Sequence, residues 1–212
     1  TCVCSYQLQT SLALVHMPQA EVWTFQPMAW DGTRVRRIGI NFGAPGDRRT
    51  DDKTLWVDYP SVGGRSPDLP IQIEGRGEKQ GAITYFRNHE TTLGEHSMAF
   101  VAASGVVGAR RISIKVSTSD DEEVLYSVKL IFACRPTEKK REAKSGAKFQ
   151  VTLQGQSADS PIDLAVYSKS NSSPIFERTF RDVKIARELI IELSPVGEGD
   201  ETWLSGVEII QQ

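Results

Sequence analysis

Apolar and polar residues alternate with a period of two through much of this chain. In Arg111-Ile112-Ser113-Ile114-Lys115-Val116 every second residue is apolar, and Phe149-Gln150-Val151-Thr152-Leu153 does the same. Each segment therefore has one face for a core and one for water. Short runs rich in β-branched and aromatic residues read as strands: Val35 to Phe42, Arg110 to Val116, Val124 to Phe132, Phe149 to Leu153, Glu188 to Leu193 and Ser205 to Ile210. Clusters of Gly, Pro, Asp or Ser separate them. No long segment keeps apolar positions at helical spacing, which leaves little room for the crossover helices of a parallel sheet. The pattern predicts an all-β fold, an antiparallel two-sheet β-sandwich.

Two stretches carry little strand pattern. From Ala44 to Pro70, glycines and prolines recur among charges, interrupted by Leu55-Trp56-Val57 and Tyr59. This reads as a long structured loop, and such loops are where binding residues concentrate on a sandwich. Arg135 to Gly146 is a mixed-charge run that reads as a solvated loop between strands. Residues 1–30 differ in character: Tyr6 to Val15 is strand-like but polar, and His16-Met17-Pro18 and Val22-Trp23-Thr24-Phe25 follow. They read as a connector from an upstream module, ahead of a single domain over residues 31–212.

Composition narrows the function. A chain of 212 residues with 39% hydrophobic and 25% charged side chains has the make-up of a folded domain with a core of its own. Its 25 basic and 27 acidic residues leave a net charge of -2, so no global field draws it to nucleic acid or to an anionic bilayer. No apolar run reaches the roughly 18 residues that cross a membrane. The start, Thr-Cys-Val-Cys, lacks both an initiator Met and a signal segment, so the chain is expected to begin inside a longer protein. Cys2 and Cys4 are too close for an easy mutual disulfide; an upstream partner for one of them and buried free thiols are both open readings, and Cys134 falls in a strand-like run. His16, His89 and His96 show no zinc-ligand spacing with the cysteines.

The blocks at the end of the chain are the most specific. Leu125 to Ala133, Gly146 to Gly155, Ile162-Asp163-Leu164 and Trp203 to Ile210 resemble, in order, the closing blocks of malectin-like domains. Ile40-Asn41-Phe42-Gly43, then Leu55-Trp56-Val57-Asp58-Tyr59 and Gly63-Gly64, are similar to the opening of the same domains. The resemblance spans about residues 35 to 212 and implies a jelly-roll, galactose-binding-like sandwich that binds carbohydrate. Thr1 to Tyr6 with Thr10 to Val15 resembles the end of a quinoprotein-type β-propeller from large exported bacterial proteins. That second resemblance implies a parent in which an upstream β-propeller is joined to this sandwich.

Sugar rings present apolar C–H faces and a fringe of hydroxyls, so their sites pair aromatic platforms with directional polar groups. By position in the resemblance, Trp56 matches the opening-loop aromatic and Asp200 the acidic residue before the last strand. The central aromatic pair of the family is absent, because Cys134-Arg135-Pro136 follows Leu130-Ile131-Phe132-Ala133; glucose-disaccharide specificity therefore does not carry over. Tyr59, Tyr85 and Phe86 are the replacement platforms, with core packing as the competing role for each aromatic and for Trp203. Asp47, Asp51, Asp52 and Asp58 supply the ligand type of a structural calcium, though without EF-hand spacing; no other cofactor is expected.

Nothing in the sequence marks a catalytic centre. There is no Gly-x-Ser-x-Gly, Gly75-Arg76-Gly77 is too short to cradle phosphate, and no carboxylate pair is set up for glycoside hydrolysis. The leading expectation is a non-catalytic carbohydrate-binding module of a larger exported protein, in which Trp56→Ala weakens sugar binding without unfolding the domain. The alternative is a structural or protein-docking domain without a sugar site, and either is compatible with a quinoprotein oxidoreductase as parent. Exposure of the aromatics separates the first two.

Overall fold

The computed structural model describes residues 34–61, 69–75, 83–118, 122–134, 148–171 and 173–212. The connector read over residues 1–30, Cys2, Cys4, His16, Gly63-Gly64 and the charged run from Arg135 to Gly146 lie outside the described residues. In chain order the first strands are β1 (Arg37–Phe42), β2 (Arg48–Arg49), β3 (Leu55–Tyr59), β4 (Ile71–Gly75) and β5 (Thr84–Arg87). A 3-10 turn (Glu90–Leu93) and the short helix α1 (Ala99–Ala102) precede β6 (Ser104–Val107), β7 (Ala109–Lys115) and β8 (Val124–Ala133). Then come β9 (Lys148–Leu153), β10 (Gln156–Ser157), β11 (Ile162–Asp163) and helix α2 (Leu164–Ser170). The last strands are β12 (Ile175–Ile185), β13 (Glu188–Pro195), β14 (Trp203–Leu204) and β15 (Gly206–Gln211).

These strands build the sandwich that the alternation predicts. One sheet has the order β12-β8-β15-β1-β3-β2, and the facing sheet β10-β9-β13-β7-β4 with β11 on β9. A small sheet, β14-β6-β5, closes one end. Inward residues of the two large sheets meet in a single core, where Phe132 of β8 lies 5.6 Å from Phe149 of β9, ring to ring. Alternation is the cause: Ile112 and Ile114 of β7 and Phe149, Val151 and Leu153 of β9 are buried, and the residues between them face outward or lie at the margin.

One ladder departs from the antiparallel expectation. β1 and β3 pair in parallel, Gly39 opposite Trp56 and Asn41 opposite Asp58, whereas the other ladders among the described residues are antiparallel. The Ala44 to Pro70 stretch is therefore not all loop, since its apolar group is an inner strand of the first sheet. β3 is buried from Leu55 through Asp58 and covered on both faces, so it lacks the alternation that marks a half-wet strand. Parallel pairing also sends Phe42 and Tyr59 out at the same rim, where the Gly43 N–H donates to the Tyr59 carbonyl at 2.6 Å. A second difference is β12, a long edge strand whose charged sequence hides it.

Candidate functional site

The expected sugar platforms divide into two buried and two accessible rings. Trp56 is only 1% exposed. Its indole lies flat over Gly39, the residue paired with it across the β1–β3 ladder: a Cβ at Gly39 would sit 2.2 Å from one indole carbon. The ring reaches on toward Gly206 of β15 and meets Phe100 edge-on at 5.8 Å. Glycine inside a strand marks the close approach of another group, and here that group is the indole. Phe86 repeats the device in the small sheet, its ring over its register partner Gly105, where a Cβ would fall 2.5 Å from the ring. Both side chains are core, so neither offers a face to a sugar, and Trp56→Ala removes a core side chain rather than a stacking platform. Trp203 is also core, with its Nε1 donating to the Ala133 carbonyl at 2.7 Å.

Tyr59 and Tyr85 are brought together at the rim. Tyr59 is half-buried, packs edge-on to Phe42, and donates its hydroxyl to the Ile71 carbonyl at 3.1 Å. Tyr85 is 38% exposed. Gly43, with φ at +75°, sits between the exits of β1 and β3 and close to the Tyr85 Cβ. Burial pushes the Tyr59 phenol up, and burial together with the neighbouring Tyr59 charge pushes Tyr85 up. Both rings thus remain neutral through the physiological range. On β5 the period of two points Phe86 inward and turns Tyr85 and Arg87 to the opposite face. The Arg87 Nε donates to the Gly43 carbonyl, which fixes the guanidinium beside the tyrosines. The rim therefore joins two phenol rings and a guanidinium on the outer side of a strand whose inner side is anchored.

Asp200 has a local role in this structure. Its Oδ2 accepts from the Gly197 N–H at 2.8 Å and closes the turn that leads into β14. That turn belongs to the same small sheet as Tyr85, because β14 and β5 flank β6 on either side. The acidic residues of the Ala44 to Pro70 stretch do not converge. Asp47 Oδ1 accepts from the Asp58 N–H at 3.0 Å, Asp58 is buried, and Asp51 is exposed. Burial opposes the charge on Asp52, but hydrogen bonds from the Thr50 hydroxyl and from Thr54, with the Arg37 guanidinium beside it, outweigh that and hold its carboxyl below the ordinary value. Among the described residues no three His, Cys, Asp or Glu side chains gather to hold a metal ion.

A concavity of about 850 Å³ lies elsewhere, along the edge of the sandwich between β12 and the β9–β10 hairpin. Arg178 and Phe180 of β12 line it, and the sequence reading did not include them. The signal for them is a cation and an aromatic two residues apart in an otherwise charged segment.

No protein-family model matches the chain, and no curated protein sequence does. Solved structures do. The ANX1 ectodomain from Arabidopsis thaliana matches with a TM-score of 0.57 and 14% identity, over 84% of this chain and 42% of that one. The ANXUR1 extracellular domain from the same plant gives 0.58 and 13%, over 84% and 42%. The chain shares their fold. The Bacteroides uniformis beta-glucuronidase matches at a TM-score of 0.53 and 12% identity, over 83% of this chain and 18% of the enzyme. The shared fold is the jelly-roll, galactose-binding-like sandwich, and it supports the malectin-like resemblance at the level of architecture. This chain spans less than half of each matched ectodomain.

Proposed function

We propose that the domain is a non-catalytic carbohydrate-binding module of a larger exported protein, and that its sugar-facing surface is the rim formed by Tyr59, Tyr85 and Arg87. The observation that carries this reading is the exposed Tyr85 ring on a strand pinned from behind by Phe86. A rigid, amphipathic ring beside a guanidinium suits a pyranose, whose C–H face stacks while its hydroxyls accept hydrogen bonds. Neutral phenols cost less to cover with an uncharged ligand than phenolates would. Support comes also from the matched structures, which include extracellular domains and an enzyme named for its action on glucuronides. Asp200 contributes by holding the neighbouring turn. The upstream propeller belongs to the same proposal and draws its support from the sequence of residues 1–15 alone.

A glycan-array screen of the whole chain, with and without calcium, followed by titration of Tyr85→Ala against any hit, tests this reading. The expected result is a reproducible hit whose affinity falls at least about tenfold in the variant, near 1.4 kcal/mol, with the melting temperature unchanged. A hit that Tyr85→Ala leaves intact removes the rim from the proposal. A blank from folded protein favours the docking reading, to which the burial of Trp56 and Phe86 already gives a specific observation.

A further inference from the structure

Among the described residues, the side of the sandwich along β12 is open. Phe176, Arg178 and Phe180 pair with Phe132, Leu130 and Val128, and those three residues of β8 are fully buried in the core. Arg178 and Phe180 thus stand on the inner face of the sheet, where apolar residues are the rule. They face the β9–β10 hairpin instead of a closed interior, across the groove of about 850 Å³. That volume falls in the range of ligand-binding clefts, roughly 300–1,000 Å³.

The hairpin wall is tied down by hydrogen bonds. The hairpin turns on Gln154 and Gly155, with φ of 48° and 77°, the pair of positive angles that a type I′ turn requires. The Gln154 side chain ties this turn to the neighbouring strand: its Nε2 donates to the Glu188 carbonyl at 2.9 Å, and its Oε1 accepts from the Ile190 N–H at 3.1 Å. On the opposite wall, the Arg178 guanidinium carbon lies 5.9 Å from the Phe180 ring centroid. The Asp159 carboxylate, 4.0 Å from Arg178, is fully exposed, and such a pair is worth little in water.

We infer that this groove is a second carbohydrate site, taking an uncharged oligosaccharide along its length. It shares the sugar reading of the rim but none of its residues. Three observations choose the ligand class. The groove joins an apolar ring, Phe180, to planar polar groups at Arg178 and Gln156, which is the chemistry that pyranose faces and hydroxyls need. Its cations, among them Arg111 and Lys184, are matched in number by carboxylates, among them Asp182 and Glu192, so no net field selects a polyanion or a polycation. A peptide adding as a further strand to β12 would meet the bulge between Phe180 and Val183, where Asp182 has φ of 57° and the edge register breaks.

The test uses the whole chain with cellohexaose, xylohexaose, mannohexaose and maltohexaose as probes. Isothermal titration gives affinity, and hydrogen–deuterium exchange gives location. At least one hexaose is expected to bind and to slow exchange in residues 154–159 and 180–184. Arg178→Met, which keeps the stem and removes the guanidinium, is expected to weaken binding at least about tenfold, and Phe180→Leu is the second variant should Arg178→Met lower the melting temperature. Tyr85→Ala is expected to leave protection of the groove unchanged. Binding that Tyr85→Ala abolishes and both groove variants spare overturns the groove and keeps the rim; loss in the groove variants alone does the reverse. Binding of polygalacturonate in preference to every neutral hexaose overturns the uncharged class, and absence of any groove protection overturns the site.

Discussion

Substitution of Gly39 by alanine tests why the most prominent candidate aromatic is unavailable to a ligand. The new Cβ would fall 2.2, 2.4 and 2.6 Å from three carbons of the Trp56 indole. Carbon pairs rest at about 3.5–4.0 Å, so the methyl and the ring overlap by roughly an ångström or more. The ring has little room to withdraw, because Phe100 stands edge-on to it and Gly206 supports its far side, with a Cβ there 3.1 Å from the indole. Overpacking of this kind costs about 1–3 kcal/mol, and for a chain of this size each kcal/mol lowers Tm by roughly 2–4 °C. Thermal unfolding followed by near-ultraviolet circular dichroism is therefore expected to show Gly39→Ala melting about 2–12 °C lower. Gly46→Ala is the control, since no atom lies within 4 Å of the Cβ it would add, and it is expected to melt with the wild type. Trp56→Ala, by leaving a cavity, is expected to cost about 3–5 kcal/mol. A Gly39→Ala protein as stable as the wild type refutes the placement of the indole and returns Trp56 to the set of sugar platforms.

Two further predictions concern the polar outer face of the first sheet. Asp52 is held below the ordinary carboxylate value, so its stabilisation is present above that value and is lost as pH falls through the depressed one; Asp52→Asn is expected to lower the melting temperature at neutral pH, with the difference closing in acid, and a pH-independent difference would contradict the linkage. Lys129 Nζ lies 2.9 Å from Oε2 of Glu208, a carboxylate only 3% exposed. Lys129→Met is expected to cost about 1–3 kcal/mol, with Lys129→Met/Glu208→Met recovering part of the loss; no change in chemical denaturation would mean that Arg37, 3.6 Å from Glu208, suffices alone.

The strands that face a core on one side and water on the other were legible in the sequence, because a period of two records that environment directly. β7, β9 and β13 lie where the alternation puts them. β3 was not, since burial on both faces erases the alternation and flanking prolines and glycines resemble loop. β12 was not either, because the inner face of its edge position opens on a groove and tolerates Arg178 where a closed interior would demand an aliphatic residue. The short helices α1 and α2 contain too few turns to show a helical period. Of the four candidate rings, two reach the surface, Tyr59 in part and Tyr85 openly. For Trp56 and Phe86 the core role holds, and sequence alone does not choose it because the partners that bury them, Gly39 and Gly105, are distant in sequence or belong to an unrecognised strand. The available signal was the glycine within an apolar strand at Ile38-Gly39-Ile40.

β15 lies between β8 and β1, hydrogen-bonded to both. Until Gly206–Gln211 is made, the first sheet lacks the strand that joins β8 to β1, and any pairing on either side of it leaves an edge unsatisfied. Such edges pair readily with other chains. Assembly of this sheet is thus non-vectorial: its middle is the last piece placed. A chain that stops before Gly206 lacks the central link of the first sheet, so the position of one short strand ties the two ends of the described sequence into a single folding unit.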